Sequence, residues 1–225
     1  EVAALQFALG GALLASGSHD NTVRLWDLRQ ADLAEPVRIL RHHTRPVRSM
    51  AVNPTGQVLA TGGVDTFVTL WDVQSGQALH TLTDHAACLN MVAFSLDGRQ
   101  VAVLDINDTI GVWDAQSGKQ LDAYRIYHSA IPAIAISPDG RLLVSGGAEQ
   151  SVYLWDISTP SAARLVTRRQ GHRQRVESIA FSRDGVTVAS GDQAGEIRVW
   201  NAHTGASHVL AGHTGVVAAL AFHPD

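Results

Sequence analysis

His43-Thr-Arg-Pro-Val-Arg-Ser-Met-Ala-Val-Asn-Pro-Thr-Gly-Gln-Val-Leu-Ala-Thr-Gly-Gly-Val-Asp-Thr-Phe-Val-Thr-Leu-Trp-Asp72 is the stretch that decides the fold. It holds three short runs that alternate apolar with small or polar residues, the period-2 pattern of strands. Asn53-Pro-Thr-Gly separates the first two, with Pro presetting φ and Gly accepting φ > 0. No segment of the chain carries a 3.6-residue apolar period long enough for a confident helix.

The pieces of this stretch recur along the chain. Trp26, Trp71, Trp113, Trp155 and Trp200 are spaced by 45, 42, 42 and 45 residues, and each is followed by an acid or its amide: Asp27, Asp72, Asp114, Asp156 and Asn201. His43, His85, His128 and His172 precede the next Trp by 28, 28, 27 and 28 residues, and His213 opens a further repeat. The turn recurs as Ser95-Leu-Asp-Gly, Ser137-Pro-Asp-Gly and Ser182-Arg-Asp-Gly. Each unit reads as four short strands, and a period of this length is the mark of a repeat architecture.

The composition bounds the function. The chain has 225 residues, 45% hydrophobic and 17% charged, with a net charge of −4. That is a globular composition and lacks the basic balance of a general nucleic-acid binder. The longest apolar run, Val216–Phe222, is far short of the roughly 20 residues that span a bilayer, so no membrane partner is expected. The single cysteine, Cys88, excludes an internal disulfide and zinc sites built from several thiolates, and it fits the cytoplasm.

The His-to-Trp-Asp pattern at this period resembles the WD-repeat (WD40) β-propeller family over essentially the whole chain. The resemblance implies an all-β propeller of four-stranded antiparallel blades around a central channel. Blades fall at about 2–41, 46–82, 88–124, 131–168 and 175–210, with 216–222 as the inner strand of a sixth. Glu1-Val-Ala-Ala-Leu-Gln-Phe matches Val216-Val-Ala-Ala-Leu-Ala-Phe, so both ends sit at the same phase. The expectation is a piece of a larger, seven-bladed or longer propeller, since seven blades need about 300 residues.

The resemblance also assigns the repeated polar residues. Trp N–H, hydroxyl, His and Asp form a hydrogen-bonded relay in the family. Blade two carries the full set: His43, Thr61, Asp65 and Trp71. Blade one keeps Ser16, Asp20 and Trp26, and blade four has His128, Ser145, Glu149 and Trp155. Blade three has His85 and Trp113, with Val103 and Asn107 at the other places and Asp108 as a substitute acid. Blade five has His172, Ser190 and Trp200, with Ala194 at the acid position. Blades three and five are therefore expected to be the weakest. Near-copies in successive blades argue for structure over catalysis, and no Gly-x-Ser-x-Gly elbow or His-Glu-x-x-His motif is present. No catalytic residue, cofactor or metal site is assigned.

The family's common partner surface is the face carrying the approaches to the first strands and the turns between the second and third. Spacing places His19, Pro46, Val64, Cys88, Ile106 and Ile131 there. The apolar members read either as an interface or as side chains tucked between blades. The run Arg168-Arg-Gln-Gly-His-Arg-Gln-Arg175 puts Arg168, Arg169, Arg173 and Arg175 in eight residues. A solvated loop, an anchor for an acidic or phosphorylated protein segment, and nucleic acid all stay open, the last weakened by the lack of interleaved aromatics. The expected function is a non-enzymatic scaffold that binds another protein. The alternative is the sensor propeller of a larger signalling protein of ATPase or kinase type.

Overall fold

The turn sequences close hairpins, and the hairpins set the register of everything else. In the computed structural model Gly56 has φ +76, and its N–H returns to the Asn53 carbonyl at 2.8 Å. The Asn53 Oδ1 then accepts the N–H groups of Gln57 and Val58. Ser137 and Ser182 open the equivalent turns, each accepting the N–H five residues on. The structure describes residues 1–30, 32, 34–83, 85, 87–125, 133–159 and 164–223, apart from the side chains of Tyr124 and Arg125.

These hairpins build five four-stranded antiparallel sheets with strands in chain order. The first holds β1 (Val2–Ala8), β2 (Leu13–Ser18), β3 (Thr22–Asp27) and β4 (Arg38–Arg41). The second holds β5 (Val47–Val52), β6 (Val58–Gly63), β7 (Val68–Asp72) and β8 (Ala78–Leu82). The third holds β9 (Leu89–Phe94), β10 (Gln100–Asp105), β11 (Thr109–Asp114) and β12 (Gln120–Arg125). The fourth holds β13 (Ala133–Ile136), β14 (Leu142–Gly146), β15 (Ser151–Asp156) and β16 (Arg164–Gln170). The fifth holds β17 (Val176–Phe181), β18 (Thr187–Asp192), β19 (Ile197–Asn201) and β20 (Ser207–Leu210). Every Trp stands opposite the residue twelve before it, as in Leu59↔Trp71 and Val188↔Trp200. That register puts the residue ten before each Trp on the same face as the indole, a hydroxyl in every sheet but the third, which has Val103.

The chain divides into two units, residues 1–94 with 98–123 and residues 95–97 with 124–225. The first carries the first two sheets and all of the third but the last two residues of β12. Its core lies between sheets: Ala15, Leu25, Val47, Leu59 and Trp71 pack the first against the second. Ala60, Leu70, Leu89, Val101 and Trp113 pack the second against the third. In the second unit Val144, Leu154, Val176, Phe181 and Trp200 join the fourth and fifth sheets. Middle strands such as β6 are therefore buried on both faces, while the outer strands β16 and β20 are mostly exposed. Each fully buried Leu contributes about 2 kcal/mol.

Residues 216–222 occupy the place of a further inner strand without being one. Val217 N–H donates to the Asp192 carbonyl at 3.0 Å, and the Ser178 hydroxyl donates to the Val217 carbonyl at 2.7 Å. Val217 sits over Gly191 as Val47 sits over Gly17 and Val176 over Gly146. A strand also needs a ladder partner, and none of the five sheets supplies one among the described residues.

Candidate functional site

The relay is complete in the second sheet. Trp71 Nε1–H donates to Thr61 Oγ1 at 2.8 Å, and Thr61 Oγ1 lies 2.8 Å from His43 Nε2. His43 Nδ1 lies 2.9 Å from Asp65 Oδ2, which also accepts the Thr44 N–H. The carboxylate can only accept, so the network assigns the ring proton to Nδ1 and the hydroxyl proton to the bond toward Nε2. Phe67 stacks flat on the imidazole at 5.1 Å.

The fifth sheet corrects the expectation of a weak relay. Trp200 Nε1–H donates to Ser190 Oγ at 2.7 Å, and Ser190 Oγ is 2.6 Å from His172 Nε2. The acid is Asp192, eight residues before the Trp, with Oδ2 3.3 Å from His172 Nδ1. Ala194 marks the wrong position because the chain moves the carboxylate two residues earlier. Asp105 stands at the same place in the third sheet, buried and accepting the N–H groups of Asn107 and Thr109. The signal was legible: an Asp eight before the Trp, where the second and fourth sheets have Gly63 and Gly147.

The other sheets are partial. Trp26 donates to Ser16 at 2.9 Å, but Asp20 bonds the Thr22 N–H and hydroxyl and pairs with Arg24. Trp155 donates to Ser145 at 3.1 Å, while Glu149 takes the Tyr153 hydroxyl and Arg168. His128 lies outside the described residues. Trp113 has Val103 where a hydroxyl would stand, and its ring packs against His85, centroids 4.4 Å apart.

Electrostatics fit a structural role for the two complete sets. Thr61 and Ser190 are fully buried, so no substrate carbonyl reaches their oxygens. Burial lowers the proton affinity of His43 by more than Asp65 raises it, and the same holds for His172 against Asp192. Burial pushes the Asp192 carboxyl upward, but the N–H groups of Glu196, Ala194 and Gln174, together with His172, hold it below the usual range. Both imidazoles fold neutral, so the unfolded chain takes up protons first as pH falls. Stability is then complete above about pH 6.5 and declines as pH drops below it. Urea midpoints should fall between pH 7 and pH 5, and the His43→Asn, His172→Asn double variant should lose that slope. A parent protein with equal midpoints at both pH values contradicts this.

Among the described residues, His172, Asp192 and Glu196 bring ligand atoms within 4.8 Å of one another. They are poorly suited to a cation. Arg198 and Arg173 sit on Glu196 at 2.5 and 3.5 Å, and His172 Nδ1 is already on Asp192.

The second candidate is the loop face. In four sheets the turn after the second strand is tied to the lead-in of the first. His19 N–H meets the Glu1 carbonyl, Val64 that of Pro46, Ile106 that of Cys88 and Gln193 that of Arg175, all at 2.9 or 3.0 Å. Cys88 S–H reaches the Val64 carbonyl at 3.4 Å. Pro46, Val64, Cys88 and Ile106 thus form one run across the second and third sheets. Ile106 is 55% exposed and the others are half-buried. His19 is exposed beside Glu1, and Ile131 lies outside the described residues. A β-bulge near the start of β5, β9 and β17 adds polar residues that the sequence reading missed: Arg48, Asn90 and Glu177, each five after the repeat histidine.

The arginine run does not act as one patch. Arg168 and Arg169 are on β16, away from the loop that carries Arg173 and Arg175. Arg168 pairs with Glu149 at 3.0 Å, bonds the Ser151 hydroxyl and lies over the Tyr153 ring. Arg169 is turned into the junction with the fifth sheet. Arg175 pairs with Glu177 at 3.1 Å, and Arg173, 82% exposed, lies 3.5 Å from Glu196. The acids are supplied by the bulge and by β19's approach, so most of the local positive charge is compensated.

Comparison with known proteins places this architecture. The family model "WD domain, G-beta repeat" matches residues 1–27, 34–72, 76–114, 119–156 and 163–201. The chain belongs to the WD-repeat family, and its five sheets are propeller blades. It is 39% identical over 77 residues to the periodic tryptophan protein 2 homolog of Schizosaccharomyces pombe, covering 34% of this chain and 8% of that protein. It is 34% identical over 85 residues to the anaphase-promoting complex subunit cdc20 of Dictyostelium discoideum, covering 36% and 17%. It is 35% identical over 82 residues to the small ribosomal subunit protein RACK1y of Oryza sativa, covering 36% and 23%. The matches therefore span less than a quarter of each of these relatives.

Proposed function

We propose that the chain is a non-enzymatic platform that grips a protein partner through the loop face of its first three blades. The observation that carries this is the run Pro46–Val64–Cys88–Ile106, an apolar strip with the exposed Arg45 and Arg48 beside it. Exposed apolar strips rimmed by charge suit protein association. Two relatives are named as subunits of larger assemblies, which supports a protein as partner. The loops are mounted on rigid paired strands, so little order is lost on binding.

The test compares partners cross-linked in cells to the parent protein, to a Val64→Asp, Ile106→Asp variant and to an Arg173→Glu, Arg175→Glu variant. The first variant should lose partner recovery by about tenfold or more, as for a central apolar anchor. The second should stay near the parent, because Glu196 and Glu177 already lie beside those guanidiniums and offset their charge. Thermal midpoints of all three should agree. The reverse order of effects would place the contact on the fifth blade instead.

A further inference from the structure

At three blade junctions, the fourth strand of one blade sends a side chain onto the turn that follows the Trp of the next. Arg38 on β4 donates to the Gln74 carbonyl at 2.9 Å. His80 on β8 bonds the Gln116 carbonyl at 2.9 Å. Arg169 on β16 donates to the carbonyls of Asn201 and Ala202.

The first two junctions have a carboxylate close enough to act on the contact electrostatically, though neither makes an ion pair with it. Hydrogen bonds from Ser75 hold the Asp72 carboxyl below its usual range, and Arg38 adds to this electrostatically. Ser117 and His80 do the same for Asp114. The fifth blade reads Trp200-Asn201, so the carboxylate is replaced by an amide. Among the described residues no carboxylate lies within ion-pair distance of Arg169, while its neighbours Arg168 and Arg173 both have one. Burial alone acts on the guanidinium, in the direction that opposes its charge. A half-buried cation without a counter-ion is costly.

An open cleft of about 460 Å³ adjoins this guanidinium. Leu142, Leu154 and Val166 form apolar walls, and Thr167 and Thr204 bring hydroxyls. Two of the five guanidinium N–H groups go to the two carbonyls, which leaves three. Thr204 Oγ1 accepts the Ala206 N–H and keeps its proton to donate. The polar lining is therefore rich in donors, and the volume lies in the range of small-ligand pockets, about 300–1,000 Å³.

We propose that this cleft binds a small-molecule carboxylate with an apolar body. Its anionic end lies in the cleft beside Arg169 and supplies the negative charge that Asp72 and Asp114 supply at the earlier junctions. Its body lies on Leu142, Leu154 and Val166. The inference is independent of the protein-binding face, which is on other blades.

The test follows the Arg169 Nε–Hε resonance of the nitrogen-15-labelled protein during titration with hexanoate, hexanamide, acetate and a pentaglutamate peptide. Hexanoate should give a saturable shift. Hexanamide and acetate should bind at least about tenfold more weakly, one lacking the charge and the other the apolar body. Asn201→Asp restores the internal carboxylate, so it should weaken hexanoate by a similar factor and raise the ligand-free thermal midpoint. No saturable shift with hexanoate overturns the proposal, as does an Asn201→Asp variant that binds it as tightly as the parent. Equal affinities for acetate and hexanoate would mean an unselective anion contact, and a response to pentaglutamate alone would assign the site to protein carboxylates. Either result also overturns it.

Discussion

Asp192→Ala should destabilise the second unit by about 4 kcal/mol, the range for removing one partner of a buried charged network. The side chain is fully buried and accepts from five donors. They are the His172 imidazole and the N–H groups of Arg173, Gln174, Ala194 and Glu196. Alanine leaves all five without that acceptor in a place water does not reach, and each buried donor left unmet costs about 1–3 kcal/mol. Local relaxation recovers part of the sum, which is why the expected loss is below the total. Asp192→Asn keeps the shape and one acceptor oxygen, so it should lose about half as much. Urea unfolding followed by Trp200 fluorescence measures both. A loss below about 1 kcal/mol for the alanine variant would show that Asp192 is not the keystone of the fifth blade.

Gly111→Thr should cost about 3 kcal/mol, at the upper end for overpacking a core. A Cβ at this position would lie 2.0 Å from Trp113 Cη2 and 2.2 Å from Cζ3, so the indole cannot stay where it is. The third blade lays its Trp over a glycine because Val103 offers no hydroxyl to anchor the indole N–H. The residues two before the Trp in the other blades are Arg24, Thr69, Tyr153 and Arg198, so there the ring is held elsewhere. Adding Val103→Thr creates the Thr-Thr-Trp set of the second blade, Thr61, Thr69 and Trp71. The double variant should regain at least about 1 kcal/mol of the loss, the worth of one buried hydrogen bond. A single Gly111→Thr variant with parental stability would remove the steric argument.

Much of the fold was legible because its determinants are local. A four-residue turn fixes the hairpin register, and that register makes a hydroxyl ten before a Trp its neighbour. Spacing along the chain is then geometry in space, which holds for Ser16, Thr61, Ser145 and Ser190 alike. The run Pro46–Val64–Cys88–Ile106 was likewise visible, since one hydrogen bond per blade ties each turn to its lead-in.

What the linear chain determined by itself was thus the four-stranded hairpin pattern of the five repeats and the indole–hydroxyl pairs. The tertiary structure decided which acid completes a relay, because a carboxylate can reach the same imidazole from two backbone positions. It also decided that the arginine run divides between an outer strand and a loop, where Glu149, Glu196 and Glu177 meet three of its members. Arg169 alone meets backbone carbonyls in place of an acid, and that emerged only when the fourth and fifth blades were packed together. Charge compensation depends on which side chains converge from separate strands, and no spacing within one repeat encodes that.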